Sequence, residues 1–280
     1  MNVSAMRISP WTVLGLLIVA GCAEKRPVQA TPGAPVTLAT GPRSEADIAR
    51  EVERLRAALL QEVPQHTSDD TNGGRAWIIR AQVALNAAPF AINGTQLIVV
   101  VDRNPRVQEL RIILARPDSP WEVIGGSKVS TGQARRRGYF ITPVGVFLHT
   151  DAILDYRALG TFNENHIRGL GLKGIRVWDF GWQIAEKGWH AERDMGEIRL
   201  LMHATDPDYL EPRLGRPASQ GCIRIPATMN RYLDNYGVLD ADYERAAPDH
   251  PNIESVLLPD RQPTPLAGNA MVIVDSSNAD

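Results

Sequence analysis

The residues best equipped for covalent chemistry in this chain are a thiol and an imidazole separated by one loop. Cys222 stands in Ser219-Gln220-Gly221-Cys222-Ile223-Arg224-Ile225, where two isoleucines alternate with Cys222 and Arg224. On a strand, that alternation points the thiol and the guanidinium the same way, about 7 Å apart. A neighbouring cation favours the thiolate. Gly221 permits a backbone angle closed to most residues, so that successive N–H groups can converge on one point, as an oxyanion requires. The imidazole ends the run Glu197-Ile198-Arg199-Leu200-Leu201-Met202-His203. Here Ile198, Leu200 and Met202 share one face, expected to be the core, while Arg199, Leu201 and His203 share the other. Thr205-Asp206-Pro207 follows, so His203 is expected at a strand end beside a turn, where functional side chains commonly sit. Taken singly, Cys222 reads equally as a small buried apolar residue and His203 as a histidine bonded to a backbone carbonyl. Taken together they are the usual nucleophile and base of acyl transfer.

The order His203, spacer, Ser219-Gln220-Gly221-Cys222-Ile223-Arg224 resembles the L,D-transpeptidase catalytic domain, or YkuD-like, family, whose pattern is His, spacer, Ser-His-Gly-Cys-x-Arg. Upstream, Val129-Ser130-Thr131-Gly132 and Thr142-Pro143-Val144-Gly145-Val146-Phe147 resemble its second signature, a Ser-Thr-Gly turn and a Thr-Pro-x-Gly strand. The resemblance spans residues 95–226. It implies a mostly β, α+β fold with a β-sandwich catalytic domain, acting on peptidoglycan stem peptides through a cysteine thioester. Cys222 would be the nucleophile and His203 the proton donor and acceptor. Gly221, Gln220, Ser219 and Arg224 would form the oxyanion and substrate-binding surface, with the N–H groups of Gly221 and Cys222 as oxyanion donors. No metal or organic cofactor is implied. Two positions depart from the pattern: Gln220 replaces a histidine, and Ala204 stands where glycine is common. Three rival readings remain beside the transpeptidase: a hydrolase of stem peptides or wall-protein links, an inactive peptidoglycan-binding module, and a metalloenzyme. The last would need His149, His166, His190 and His203, which show no tight ligand spacing.

Several elements must position these residues. Ser44 precedes Asp47 by three, an N-cap arrangement, and Ile48, Val52, Leu55, Leu59 and Leu60 recur at helical spacing until Pro64. Trp77 to Ala88 reads as a second helix, after a polar loop from Thr67 to Gly74. Residues 44–94 thus form a helical N-terminal segment. The 95–226 catalytic region carries six β-like runs: Thr95–Val101, Val107–Ala115, Trp121–Ser130, Val144–His149, Gly196–His203 and Cys222–Ile225. The stretch from Thr150 to Gly196, which carries Trp178, Trp182 and Trp189, reads either as an insertion over the cleft or as aromatic core. Residues 227–280 read as a C-terminal helix, Asn230 to Tyr236, and a tail with one β-like run, Ala270–Val274.

The N-terminus reads as an export leader over residues 1–21. An apolar run from Ile8 to Ala20, too short to span a bilayer comfortably, leads into Leu17-Ile18-Val19-Ala20-Gly21-Cys22. Small residues before a cysteine resemble the bacterial lipobox, with Cys22 as the lipidated residue. A Pro-, Ala- and Thr-rich tether, 22–43, would then join a membrane anchor to a periplasm-facing enzyme. With Cys22 so used, Cys222 has no disulfide partner among the chain's two cysteines. A formal charge of −2 gives no field suited to nucleic acid, so no such partner is expected.

Overall fold

The computed structural model describes residues 44–67, 71–190 and 194–278; the expected leader, Cys22 and the tether lie outside them. Ser44 Oγ accepts the Asp47 N–H while the Asp47 carboxylate accepts the Ser44 N–H, a capping box that starts α1 (Glu45–Glu62). The apolar stripe Ile48, Val52, Leu55 and Leu59 is buried, as its spacing predicts. After β1 (His66–Thr67) comes α2 (Thr71–Asn86), which begins about two turns before the expected Trp77. The strands β2 (Gln96–Asp102), β3 (Glu109–Ala115), β4 (Glu122–Lys128) and β5 (Gly145–Leu148) match four of the expected runs. Next are β6 (Tyr156–Arg157), β7 (Arg176–Glu186), β8 (Met195–Ala204) and β9 (Ile223–Ile225). The chain closes with α3 (Ala227–Asn235), α4 (Ala241–Ala246), α5 (Pro251–Val256) and β10 (Ala270–Val274). No described helix is long and apolar enough to cross a membrane.

These strands make two sheets, so the fold is α+β with a mostly β body. One sheet runs β1-β4-β3-β2-β10-β5, the other β6-β7-β8-β9. Leu97, Val99, Val101, Leu110, Ile112 and Leu114 of the first share one core with Trp178, Phe180, Leu200, Met202, Ile223 and Ile225 of the second, and α1 adds its stripe to it. Each such side chain, withdrawn from water, contributes roughly 1.5–3 kcal/mol. The opposite face of the first sheet is covered by Trp77, Ala81 and Leu85 of α2. The C-terminal run β10 lies inside this sheet, parallel to β2 and antiparallel to β5.

The stretch Thr150–Gly196 needs correction as an insertion, because β7 within it is an inner strand of the second sheet. Its tryptophans do not act as one unit. Trp178 is fully buried, Trp182 is 64% exposed, and Trp189 packs edge-on against Phe140 with ring centroids 5.2 Å apart. The loop between β6 and β7 packs Leu170 against a small cluster of Ala158, Ile175, Val177, Ala204 and Ala227.

Beneath that loop is a buried charge cluster. Arg176, fully buried, reaches Asp155 at 2.8 Å, Asp240 at 3.2 Å and Asp234 at 3.3 Å. Asp155 also meets His149 Nε2 at 2.9 Å, and His149 Nδ1 lies 2.9 Å from the Leu239 carbonyl. Asp155 lies just before β6, and its other oxygen accepts the Asp179 N–H at 2.9 Å, so the cluster ties α3 and its following turn to β7. A buried pair adds little when complete, but removing one partner strands its counter-charge, at a cost of about 3–5 kcal/mol. Arg176→Met is therefore expected to lower stability by that amount in urea denaturation. A loss under about 1 kcal/mol would show that the carboxylates are held neutral without Arg176.

Candidate active site

Gly221 and Cys222 form the bend immediately before β9, so Cys222 lies one residue outside the strand on which it was expected. Ile223 and Ile225 are both fully buried, which turns Cys222 and Arg224 to the opposite face. Strand β9 pairs in parallel with β8, Met202 opposite Ile223 and His203 opposite Arg224. Cys222 and His203 are thus diagonal neighbours on one sheet face, with backbones about 8 Å apart by strand spacing and rise.

The cysteine bend is gripped by the upstream Ser-Thr-Gly turn. Ser130 and Arg224 exchange two backbone hydrogen bonds of 2.9 Å, and the Thr131 carbonyl accepts the Ser219 N–H at 3.0 Å. Thr142 Oγ1 accepts the Gly132 N–H at 2.8 Å and donates to the Gly221 carbonyl at 2.7 Å. Gln108, also buried, accepts the Thr131 N–H at 2.8 Å. Gly221 has φ 130°, and a Cβ there would stand 2.9 Å from Ile198 Cδ1. The bend therefore needs glycine for its angle, while the isoleucine tip could give way to a Cβ.

The expected site residues do not all keep their expected parts. Ser219 Oγ donates to the Cys222 carbonyl at 2.5 Å and accepts the Gly221 N–H at 3.1 Å. The Gly221 N–H is therefore already engaged, whereas the Cys222 N–H has no hydrogen-bond acceptor among the described residues. Ser219, fully buried, is a brace for the bend and not a surface for substrate. Gln220 is exposed, and its side chain makes no hydrogen bond among the described residues. Arg224 donates from Nη1 to the Ala218 carbonyl at 3.1 Å, and its Nε is buried without a partner, so its guanidinium is turned onto its own loop.

His203 is 4% exposed. Its Nδ1 lies 2.6 Å from the Ala204 carbonyl. A carbonyl only accepts, so Nδ1 carries the hydrogen and Nε2 is left as the basic nitrogen. Burial, reinforced by the Arg224 charge and opposed by the carbonyl bond, pulls the ring's pKa down to about 4. The Cys222 thiol is half-buried, and its sulfur donates to the Arg199 carbonyl at 3.8 Å, not to the imidazole. Burial pushes this thiol up, against the Leu201 N–H and Arg224, which pull it down. Both directions favour the neutral thiol and the neutral imidazole over a thiolate–imidazolium pair.

Three site residues escaped the sequence reading. Asp179, buried on β7 opposite Leu201, holds Arg199, and Tyr156 on β6 lies near enough to Asp179, Cys222 and Arg199 to feel their charges. Arg199 had a signal, since it shares the His203 face by alternation. Asp179 and Tyr156 had none, because their strands were not recognised. His149 belongs to the buried charge cluster. Among the described residues, no group of three or more His, Cys, Asp and Glu side chains is arranged to hold a metal ion.

No protein-family model matches the chain, and none of the curated proteins matches it. Among solved structures it is similar to the fused Zn-dependent amidase/peptidase/peptidoglycan-binding domain-containing protein from Clostridium acetobutylicum ATCC 824. The identity is 14% and the TM-score 0.28, over 74% of this chain and 64% of that one. The chain thus spans less than two thirds of that structure's length, and a TM-score of this size carries neither fold nor function across.

Two pH experiments test the electrostatics. The alkylation rate of Cys222 by iodoacetamide is expected to climb about tenfold per pH unit from pH 6 to 8, following a scarce thiolate. A flat rate over that range would mean a preformed ion pair. The second concerns His203, whose folded pKa of about 4 lies below the ordinary 6.5. Between these values the unfolded chain binds more protons, so stability falls as pH falls from 6.5 to 4, by about 3 kcal/mol for this residue. The stability advantage of the wild type over His203→Gln, read from urea midpoints, is expected to shrink by that amount. An advantage constant with pH would place the ring in solvent.

Proposed function

We propose that this chain is a cysteine-dependent acyltransferase of the cell envelope that opens the bond between the third and fourth residues of a peptidoglycan stem peptide. The observation that carries this reading is the pairing of β8 with β9, which puts a half-buried thiol and a basic imidazole nitrogen on one sheet face. The resemblance of residues 95–226 to the L,D-transpeptidase family supports the substrate class. Cys22 is proposed to carry the lipid that holds the enzyme at a membrane facing the periplasm.

The resting state is thiol and neutral imidazole, so the first step is general-base attack and not attack by a stored thiolate. In this step the Cys222 thiol gives up its hydrogen bond to the Arg199 carbonyl and turns to His203 Nε2, its neighbour on the same sheet face. As the sulfur bonds to the peptide carbonyl carbon, its proton passes to Nε2, and the carbonyl electron pair moves onto oxygen. The Cys222 N–H, the free donor of the bend, accepts the role of oxyanion partner; one such donor is worth about 3 kcal/mol. Collapse of the tetrahedral species breaks the C–N bond, and Nε2–H gives its proton to the departing D-alanine nitrogen. The thioester on Cys222 then meets an acceptor amine, whose proton returns through Nε2 to the sulfur as the new amide forms. Water in place of the amine gives the hydrolase, from the same thioester.

Cys222→Ala is expected to abolish release of D-alanine from a stem tetrapeptide while leaving the circular dichroism spectrum unchanged. Mass spectrometry of the wild type is expected to show a carbapenem adduct that this variant lacks. His203→Ala is expected to lower kcat by about 10²- to 10⁴-fold. Release of D-alanine by the Cys222→Ala protein at the wild-type rate would end the proposal.

A further inference from the structure

The structure assigns a carboxylate-binding role to Arg199, beside the nucleophile. This inference rests on the proposed function and deepens it, naming what the substrate must carry next to the attacked bond. We propose that Arg199 anchors the free carboxylate of the leaving residue, so that the site selects peptides that end one residue beyond that bond.

The guanidinium is held from one side only. Its Nε meets Asp179 Oδ1 at 3.0 Å and Oδ2 at 2.8 Å, and its Nη2 meets Asp179 Oδ2 at 2.8 Å. A guanidinium has five N–H donors, of which these contacts take two. Both Nη1 donors and one on Nη2 have no partner among the described residues. That end is the fork which binds a carboxylate with two parallel hydrogen bonds. The arginine side chain is 42% exposed while Asp179 is 4% exposed, so the anchor is rooted in the protein and its open end faces solvent.

The local backbone is built to hold it there. Strand β7 shifts register between Asp179 and Trp182, at Gly181 with φ 76°. Such a bulge re-aims a side chain, and here the Gly181 N–H donates to Asp179 Oδ1 at 2.8 Å. A second N–H, that of Asp179 itself, is fastened to Asp155 of the buried cluster. Trp182, opposite Arg199 across the β7–β8 ladder, has its ring 5.8 Å from the guanidinium carbon.

The backbone of Arg199 lies beside the thiol. The Cys222 sulfur lies 3.8 Å from the Arg199 carbonyl oxygen. An extended peptide advances about 3.5 Å per residue. A carbonyl over the sulfur puts the next residue's carboxylate about one residue further on, over the face that the Arg199 side chain shares with Cys222 by alternation and strand pairing. Arg224, the arginine expected to take a carboxylate, is half-buried, with one N–H on the Ala218 carbonyl, and is less open to solvent than Arg199. Arg199 is thus a binding residue for specificity and takes no proton.

The test uses the full chain and two synthetic substrates, a stem tetrapeptide ending in D-alanine and the same peptide with its terminal carboxylate made a carboxamide. The wild type is expected to convert the acid about 10- to 100-fold better in kcat/KM, the range of a charge-assisted hydrogen bond. In Arg199→Gln that ratio is expected to fall to within about threefold of one, and Arg199→Lys is expected to restore part of it. Equal conversion of acid and amide by the wild type, which needs no variant to fold, would remove the anchor and leave the nucleophile intact. A preference that persists in Arg199→Gln would do the same. Conversion of neither peptide by the wild type would remove the proposed function and this inference together.

Discussion

The site depends on the register of β9, a strand of three residues. It is held along one edge by β8 and along the other by Ser130, through backbone hydrogen bonds to Arg224. Ile223 and Ile225 set which way it faces, because both are fully buried between the sheets. A slip of one residue would drive Arg224 into that core and turn the thiol away from His203. Moving two isoleucines to water would cost several kcal/mol, so the direction of the thiol is fixed by hydrophobic burial and not by any bond to the sulfur. The Ser-Thr-Gly turn and Thr142 then hold the glycine bend to which the thiol is attached.

Charge is distributed so that Cys222 and His203 are held toward their neutral forms. His203 is buried without a carboxylate partner among the described residues, and its orienting acceptor is the Ala204 carbonyl. A carboxylate there would raise the ring's pKa and favour the imidazolium. Three buried carboxylates sit instead around Arg176, and Asp155 of that cluster is linked to the Asp179 N–H on β7. Asp179 in turn fixes Arg199. The buried cluster thus helps fix a half-exposed cation, Arg199, on the Cys222 face while leaving His203 without a counter-charge among the described residues.

Much of this was legible along the chain. The capping box at Ser44, the stripe of α1 and four strands of the first sheet follow from local spacing, because each element buries one face with its own period. Strand β7 was not legible. Its residues include Arg176, Asp179 and Gly181, and the first two are buried. Burial of such charges is acceptable only with partners, and those partners come from residues 155, 234, 240 and 199. No window of sequence contains them. The bulge at Gly181 also breaks the alternation that identifies a strand. The run Ala270–Val274 was visible as β-like, yet its insertion between β2 and β5 is a non-local pairing that composition does not encode.

For the site, alternation alone determined that Cys222 and Arg224 share a face and that Arg199 and His203 share a face, and residue type showed that Gly221 permits an unusual angle before the thiol. These are properties of backbone period and of a missing Cβ, both local. Tertiary structure decided that the two faces are the same face, because only the parallel pairing of β8 and β9 brings them together. It also decided which groups are free: Ser219 takes the Gly221 N–H, Ala218 takes Arg224, and Asp179 takes one side of Arg199. Residue type says what a donor can bind, but only the folded chain says which of its hydrogen bonds are already made.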